Sequence, residues 1–310
     1  MVDPLPICGV VVTYFPGEDV GGNLRAMVGE CRRVLVVDNG SPPEVCARLA
    51  TVPGVILLAL GNNLGIAAAL NRGAAWARDK DFQWLVTFDQ DSKPEPGLVA
   101  ELWAAHLRHP QAAVIGPRIL EGGADAPNYR WVRRHPRWPG LFQRSECGAA
   151  DLPEVTAVIT SGSMIELQYW AESGGFAEEL FIDYVDIDYC LRVGRSGRKI
   201  TVAAAASLRH ELGARQAGRL FGRDLRPMHH AAFRHYYIAR NRVRVWRRHA
   251  LAVPHWALFD LAFAGYNAFR VVAFEAAKGA KLKAMVLGTW DGLCGRSGPC
   301  PEHRRRSLQP

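Results

Sequence analysis

The chain has 310 residues, 49% of them hydrophobic, enough for one large domain or two smaller ones around a sizeable core. A net charge of +8 and a pI near 9.3 favour an anionic partner: nucleic acid, a phosphorylated substrate or anionic lipid. The seven cysteines are scattered and form no CxxC pair, which argues against a disulfide framework or a zinc site and fits a reducing compartment.

Residues 1–6 carry Asp3 and lead straight into a strand, so no secretory leader is expected. That strand, 7–14, has Val10, Val11 and Val12 at its centre and ends in Thr13-Tyr14-Phe15-Pro16-Gly17. Residues 18–30 follow with helical spacing at Leu24, Met27 and Val28. The next strand, 34–37, ends in Asp38-Asn39-Gly40-Ser41-Pro42, with a short helix from Pro43. A third, 55–60, ends in Gly61-Asn62-Asn63. Residues 65–78 are alanine-rich and helical, with Ile66, Leu70 and Ala74 on one face. The apolar run from Trp84 to Phe88 reads as a buried strand tipped by Asp89-Gln90-Asp91 and stopped by Ser92-Lys93-Pro94. Strands alternating with helices across short loops predict an α/β layer with a mostly parallel sheet. Right-handed crossovers bring all these strand ends to one edge.

Ligands of open parallel sheets sit at that edge. Each predicted strand end carries polar or turn-forming residues: Thr13 and Tyr14, Asp38 and Asn39, Asn62 and Asn63, Asp89 and Asp91. Turn chemistry explains each singly; in register they would build one polar crevice. Two carboxylates one residue apart on a turn can aim at one hard cation shared with substrate phosphates. Asp38 could accept from a base or ribose. No GxGxxG follows the first strand and no GxxxxGK[ST] occurs, so neither a dinucleotide fingerprint nor a Walker loop holds the phosphates. A metal must do more of that work.

Taken in order, Val11-Val12-Thr13-Tyr14, Val36-Val37-Asp38-Asn39-Gly40-Ser41, Asn62-Asn63-Leu64-Gly65 with Asn71-Arg72-Gly73, and Phe88-Asp89-Gln90-Asp91-Ser92 resemble the family-two inverting glycosyltransferases of the GT-A fold. Within that family they are similar to bacterial rhamnosyltransferases that use dTDP-L-rhamnose. The resemblance implies a Rossmann-like mixed, mostly parallel sheet flanked by helices. It implies that Asp38 meets the pyrimidine and that Asp89-Gln90-Asp91 is the DxD motif, holding Mg2+ or Mn2+ and the diphosphate. Asn63, Gly65 and Asn71 would lie beside the nucleotide sugar, and Thr13, Tyr14 and Gln90 complete the expected donor-binding set.

Past the acid-tipped strand, 96–109 reads as a helix and 112–117 as a strand. Residues 121–150 read as a long loop, the kind that often serves as a lid or binding segment. Its Trp131 and Trp138 would stack on sugar rings or form a satellite core. A strand at 155–160 leads into Ser161-Gly162-Ser163, and Gly174-Gly175-Phe176 follows. Asp183, Asp186 and Asp188 then crowd the start of a helix whose buried face is Ile187, Cys190 and Leu191. Helix capping accounts for one acid there, but poorly for three. Inverting transfer needs a carboxylate to take the acceptor hydroxyl's proton. The segment resembles the family's Glu-Asp-x-Asp motif; aligned on Leu191-Arg192, the base falls on Asp186, with Val185 where the family has Glu. Asp183, Asp188, Arg192, Gly175 and Trp131 are then acceptor-side or supporting residues. A strand at 199–205 leads to His210, which the resemblance makes a further metal ligand; a loop histidine bonded to backbone is the alternative.

From Pro227 the character changes. Residues 228–249 are helical in pattern, with Arg240, Arg244, Arg247 and Arg248 on one side. After Pro254, residues 256–277 are apolar but interrupted by Asp260, Asn267 and Arg270, a poor spanning helix. A basic stripe beside an apolar one suits an anionic bilayer surface, or an ordinary helix pair with a solvated basic side. Residues 288–298 are glycine-rich, and the tail from Glu302 is expected to be mobile.

The organisation expected is a GT-A domain over 1–226, with a nucleotide-sugar half to 117 and an acceptor half after it, then a C-terminal helical region over 227–310. The expected reaction is inverting transfer of L-rhamnose to a lipid-linked saccharide, in the cytoplasm or peripherally on the inner face of the plasma membrane, without nucleic acid. A nucleotidyltransferase would want a basic glycine-rich loop where the chain has Glu18-Asp19. A non-catalytic basic binder leaves the five acids, Asp89, Asp91, Asp183, Asp186 and Asp188, unexplained.

Overall fold

The computed structural model describes residues 5–120, 129–209, 218–220, 223–225 and 231–308. The chain begins β1 (Ile7–Thr13), α1 (Val20–Glu30), β2 (Arg33–Asp38), α2 (Pro43–Ala50), β3 (Val55–Ala59), α3 (Ile66–Asp79) and β4 (Trp84–Asp89). It continues through β5 (Lys93–Pro94), α4 (Leu98–Arg108), β6 (Ala112–Leu120), β7 (Arg130–Arg134), β8 (Phe142–Glu146) and β9 (Leu152–Pro153). Next come β10 (Met164–Glu166), α5 (Leu167–Glu172), α6 (Val185–Arg195), β11 (Lys199–Arg209), β12 (Gly218–Leu220) and β13 (Arg223–Leu225). Helices α7 (Ala232–His249), α8 (Pro254–Phe274), α9 (Lys278–Leu293) and α10 (Glu302–Ser307) close it. Two compact units result: Met1–Arg133 with Arg144–Phe181 and Val185–Glu211, and Leu212–Pro310 with Arg134–Gln143 and Ile182–Tyr184.

The first unit is built on a nine-stranded sheet in the order β3-β2-β1-β4-β10-β6-β11-β5, with β9 beside β11. Strands β1 to β4 are parallel, and β10 runs antiparallel between β4 and β6. The apolar runs of β1, β2 and β4 are buried along almost their whole length, as strands covered on both faces must be. Register fixes the functional edge: Thr13 lies beside Asp38, and Val12 beside Asp89.

Three differences from the sequence expectations have physical causes. Residues 155–160 form no strand; Val155 and Thr156 donate singly to Ile200 O and Val132 O, and the strand comes later, at β10. The expected loop contains the two-stranded sheet β7-β8, whose arginine-rich strands lack a clear apolar alternation. The glycine-rich stretch after 288 begins as helix: a Cβ on Gly292 would stand 2.6 Å from Arg240 O, so these glycines let α9 pack onto the backbone of α7.

The basic stripe expected on α7 is solvated only at its end: Arg247 and Arg248 are exposed, while Arg240 and Arg244 are engaged inside the unit. Arg240 is fully buried, lies over the Tyr237 ring at 4.8 Å and donates to Gly298 O. Arg244 donates to Gly295 O at 2.8 Å. Nor is the tail loose: α10 carries Arg304, which donates to the buried Asp291 at 3.3 Å.

Candidate active site

The rim of the site is a set of loops at the carboxyl ends of β1, β2 and β3, each tied to the next. Asp38 is buried at the end of β2. Its Oδ1 accepts from the N–H groups of Gly40 (3.2 Å) and Ser41 (2.7 Å), and its Oδ2 from the hydroxyls of Thr13 (2.9 Å) and Ser41 (2.7 Å). Burial works to raise its pKa, but the bonds from Ser41, Thr13 and Cys46 outweigh burial and hold it below the usual carboxylate range. Asp38 therefore acts first on its own loop. Asn39, expected with Asp38 at the polar strand end, extends the rim: its Nδ2 donates to Asn63 Oδ1 (3.1 Å) and its Oδ1 accepts from Leu64 N–H (2.9 Å). Gly65 N–H also donates to Asn63 Oδ1.

The acid turn after β4 is fixed from two sides. Gln90 Oε1 accepts from Tyr14 N–H (2.8 Å) and Gln90 O from Asn23 Nδ2 (3.0 Å), so the middle residue of Asp89-Gln90-Asp91 staples the turn to the loop after β1. In that loop Tyr14 and Phe15 are exposed, their rings edge-on at 4.8 Å. From behind, buried Ser92 accepts from Asp89 N–H (3.1 Å) and hydrogen-bonds buried Ser161. Asp89 is half-buried and Asp91 exposed. Two hard oxygen donors on a braced turn suit a hard divalent cation. Among the described residues no group of three His, Cys, Asp or Glu could hold a metal. His210 lies outside the described residues; Arg209 before it pairs with Lys93, two positions past Asp91.

The segment leading towards α6 is anchored on the same rim. Gly65, at φ +88°, leaves room for Phe181: an added Cβ would stand 2.6 Å from Phe181 O, the atom that accepts from Ile66 N–H at 2.7 Å. Asn71 is engaged by the preceding turn. Its Nδ2 donates to Phe176 O and Glu178 Oε1 (both 2.9 Å), while its Oδ1 accepts from Phe176 N–H (2.8 Å) and Trp170 Nε1 (3.1 Å). Arg192 grips that turn through Ser173 O and Gly175 O, and donates to the buried Asp188 at 3.0 Å.

The three acids at the start of α6 thus differ. Asp188 is an internal partner of Arg192. Asp183 accepts both Nε (2.9 Å) and a terminal nitrogen (2.6 Å) of Arg234. Asp186 is half-buried on the first turn of α6 and caps Ile187 N–H at 2.9 Å. Phe181, Asp183 and Tyr184 all have φ near +66°, an unusual run for non-glycine residues. Asn241 fixes it by donating to Ile182 O (2.7 Å) and Asp183 O (2.9 Å).

One sequence assignment is corrected. Trp131 is 3% exposed and packs against Tyr129 at 4.8 Å, so its ring is core and not a sugar platform. Several positioning residues were given no site role from sequence: Asn23, Ser92, Ser161 and Arg234. Only Ser92, directly after the acid pair, carried a local signal.

Residues 24–169 match Glycosyl transferase family 2. The chain is 28% identical over 297 residues to the dTDP-rhamnosyl transferase RfbF of Shigella flexneri, covering 94% of this chain and 97% of that one. It is 28% identical to the N-acetylglucosaminyl-diphospho-decaprenol L-rhamnosyltransferase of Mycobacterium tuberculosis, covering 83% of this chain and 90% of that one. Among solved structures, GalNAc-T7 with UDP, GalNAc and Mn2+ superposes with a TM-score of 0.58 at 16% identity, covering 80% of this chain and 48% of that one. S. aureus TarS 1–349 with UDP-GlcNAc gives 0.57 at 10% identity, covering 97% and 83%. These two structures share the GT-A fold with the chain, and they speak to fold alone.

Proposed function

We propose, for a chain that carries a glycosyl transferase family 2 domain, inverting transfer of L-rhamnose from dTDP-L-rhamnose to a hydroxyl of a lipid-linked saccharide in cell-surface polysaccharide synthesis. The observation that carries this reading is the single hydrogen-bonded rim joining the Asp38, Asn63 and Asp89-Gln90-Asp91 loops, on which the segment leading to Asp186 is anchored through Phe181. The donor and acceptor come from the relatives' names: one uses a dTDP-linked rhamnosyl group and the other acts on a decaprenol-linked sugar.

Asp89 and Asp91, with His210, would hold Mg2+ or Mn2+. When bound, the cation offsets charge developing on the departing diphosphate. The chain's own residues do the rest. The Asp38 loop and the exposed Tyr14 ring receive the nucleotide, while Asn63, Gly65 and Asn71 shape the sugar side. Asp186 takes the proton of the acceptor hydroxyl as that oxygen bonds to the anomeric carbon from the face opposite the diphosphate, and dTDP leaves with the electron pair of the broken C–O bond. The Glu-Asp-x-Asp resemblance, aligned on Leu191-Arg192, puts the base at Asp186, and the ion pair of Asp188 with Arg192 suits Asp188 to a supporting role. The reaction would run at the cytoplasmic face of the membrane.

The test is a panel of nucleotide sugars given to the purified chain with and without Mg2+ or Mn2+. Preference for dTDP-L-rhamnose, dependent on the cation and lost in Asp91→Ala, is the expected result. Asp186→Asn should bind donor normally and lose transfer by about 10²–10⁴-fold. Turnover without any cation overturns the metal assignment, and normal transfer by Asp186→Asn moves the base elsewhere.

A further inference from the structure

Helix α8 is built inside out for a surface helix of a water-soluble unit. Its charged residues face inward: Asp260 is 4% exposed and Arg270 5%. Asp260 accepts from Tyr184 (2.6 Å), Arg242 (3.0 Å) and Trp246 (2.7 Å), all within the second unit. Its outward face is Leu258, Leu261, Phe269 and Val272, with Leu261 at 58% and Phe269 at 52% exposure. These positions recur at helical spacing, so they form one stripe from Leu258 to Val272, about 20 Å of the 21-residue helix. Helix α9 repeats the pattern, with Lys281 and Asp291 buried and Val286 and Trp290 outward. Scattered exposed apolar residues need no explanation, but aligned ones on neighbouring helices mark a surface that is covered in use.

Charge selects the cover. The second unit carries 20 Lys and Arg against six Asp and Glu, a net +14, while the first carries 18 against 24, a net −6. A second copy of so basic a unit is repelled, whereas an anionic lipid surface attracts it. By length and composition α8 could cross a membrane. With Asp260 and Arg270 packed inside the unit, only its outer face is free to meet hydrocarbon, so it would lie along the surface.

We infer that the outer faces of α8 and α9 form an interfacial platform that seats the chain on an anionic bilayer, α8 lying in the membrane plane without spanning it. The lipid-linked acceptor proposed above bears only on the choice of occupant. Binding is read without donor or acceptor, so its failure leaves the transfer reaction untested and standing.

The experiment is flotation of the purified full chain with vesicles of phosphatidylcholine alone or mixed with phosphatidylglycerol. Binding to the mixed vesicles, weakened by salt, is expected. Leu261→Glu with Phe269→Glu should lower it by about tenfold or more, given the apolar area withdrawn, while circular dichroism and donor hydrolysis stay unchanged. A second pair on the same stripe, Leu258→Glu with Val272→Glu, must reproduce the loss. Absence of wild-type binding to either vesicle, or equal binding by both folded double variants, overturns the inference. So does a dimer in light scattering that the substitutions make monomeric while vesicles are ignored, since the cover is then a second copy.

Discussion

Asp38 and Asp291 are both fully buried carboxylates, one in each compact unit, and they are satisfied in opposite ways. Asp38 is surrounded by neutral donors, two hydroxyls and two backbone N–H groups from its own rim. Asp291 is met by Arg296 (3.2 Å), Arg304 (3.3 Å) and the Tyr236 hydroxyl (2.8 Å), which come from other segments. Neutral donors stiffen a loop and leave its negative charge in place, beside a site that must recognise a nucleotide. Arginine partners cancel the charge, and Arg304 of α10 with the Tyr236 hydroxyl of α7 ties those helices to α9. One arrangement organises a binding edge and the other holds a helical body.

The largest test of that contrast is Asp291→Ala. Removing an acid between two arginines should lower stability by roughly 3 kcal/mol, less where the arginines can turn to water, while dTDP affinity per folded molecule is retained. Calorimetric melting with dTDP titration reads both, and a parallel loss of dTDP affinity would erase the distinction between the two carboxylates. Gly175→Ala comes next. Its φ of +73° and an added Cβ only 2.6 Å from Asn71 Oδ1 predict a loss of about 1–3 kcal/mol, here accompanied by weaker donor binding. The smallest effect is on pH dependence. Because Asp38 titrates below the usual range when folded, its contribution is complete above an ordinary aspartate pKa of about 3.9 and fades as pH falls through the lower folded value. Asp38→Asn should flatten that limb of the acid-unfolding curve; an unchanged curve would show that the rim does not depend on the charge.

The parallel half of the sheet was legible because its strands are apolar runs that stop at polar turns, and β1, β2 and β4 stop within one residue of where the sequence says. Strand β10 was not, because Val155 and Val158 are as buried as strand residues while the backbone N–H groups of Val155 and Thr156 go to separate neighbours. Helix periodicity located faces on α7 and α8 but could not say which face meets water. Arg240, on the expected basic stripe, is enclosed by tyrosines, while Leu261, on the apolar stripe of α8, is outside. At the site, the acids were visible as a crowd; the i,i+4 spacing of Asp188 and Arg192 encodes one pairing, but the partner of Asp183, Arg234, lies 51 residues away, and spacing along the chain does not encode that.

The left-handed run at Phe181, Asp183 and Tyr184 bears on how the chain can vary. Such residues cost about 1–3 kcal/mol each relative to an unstrained backbone, and glycine would relieve that. Yet glycine at 183 discards the carboxylate gripped by Arg234, and at 184 the phenol bonded to Asp260. The two positions are therefore squeezed between opposing demands, and natural variation there should be narrow even though neither side chain is proposed to touch substrate.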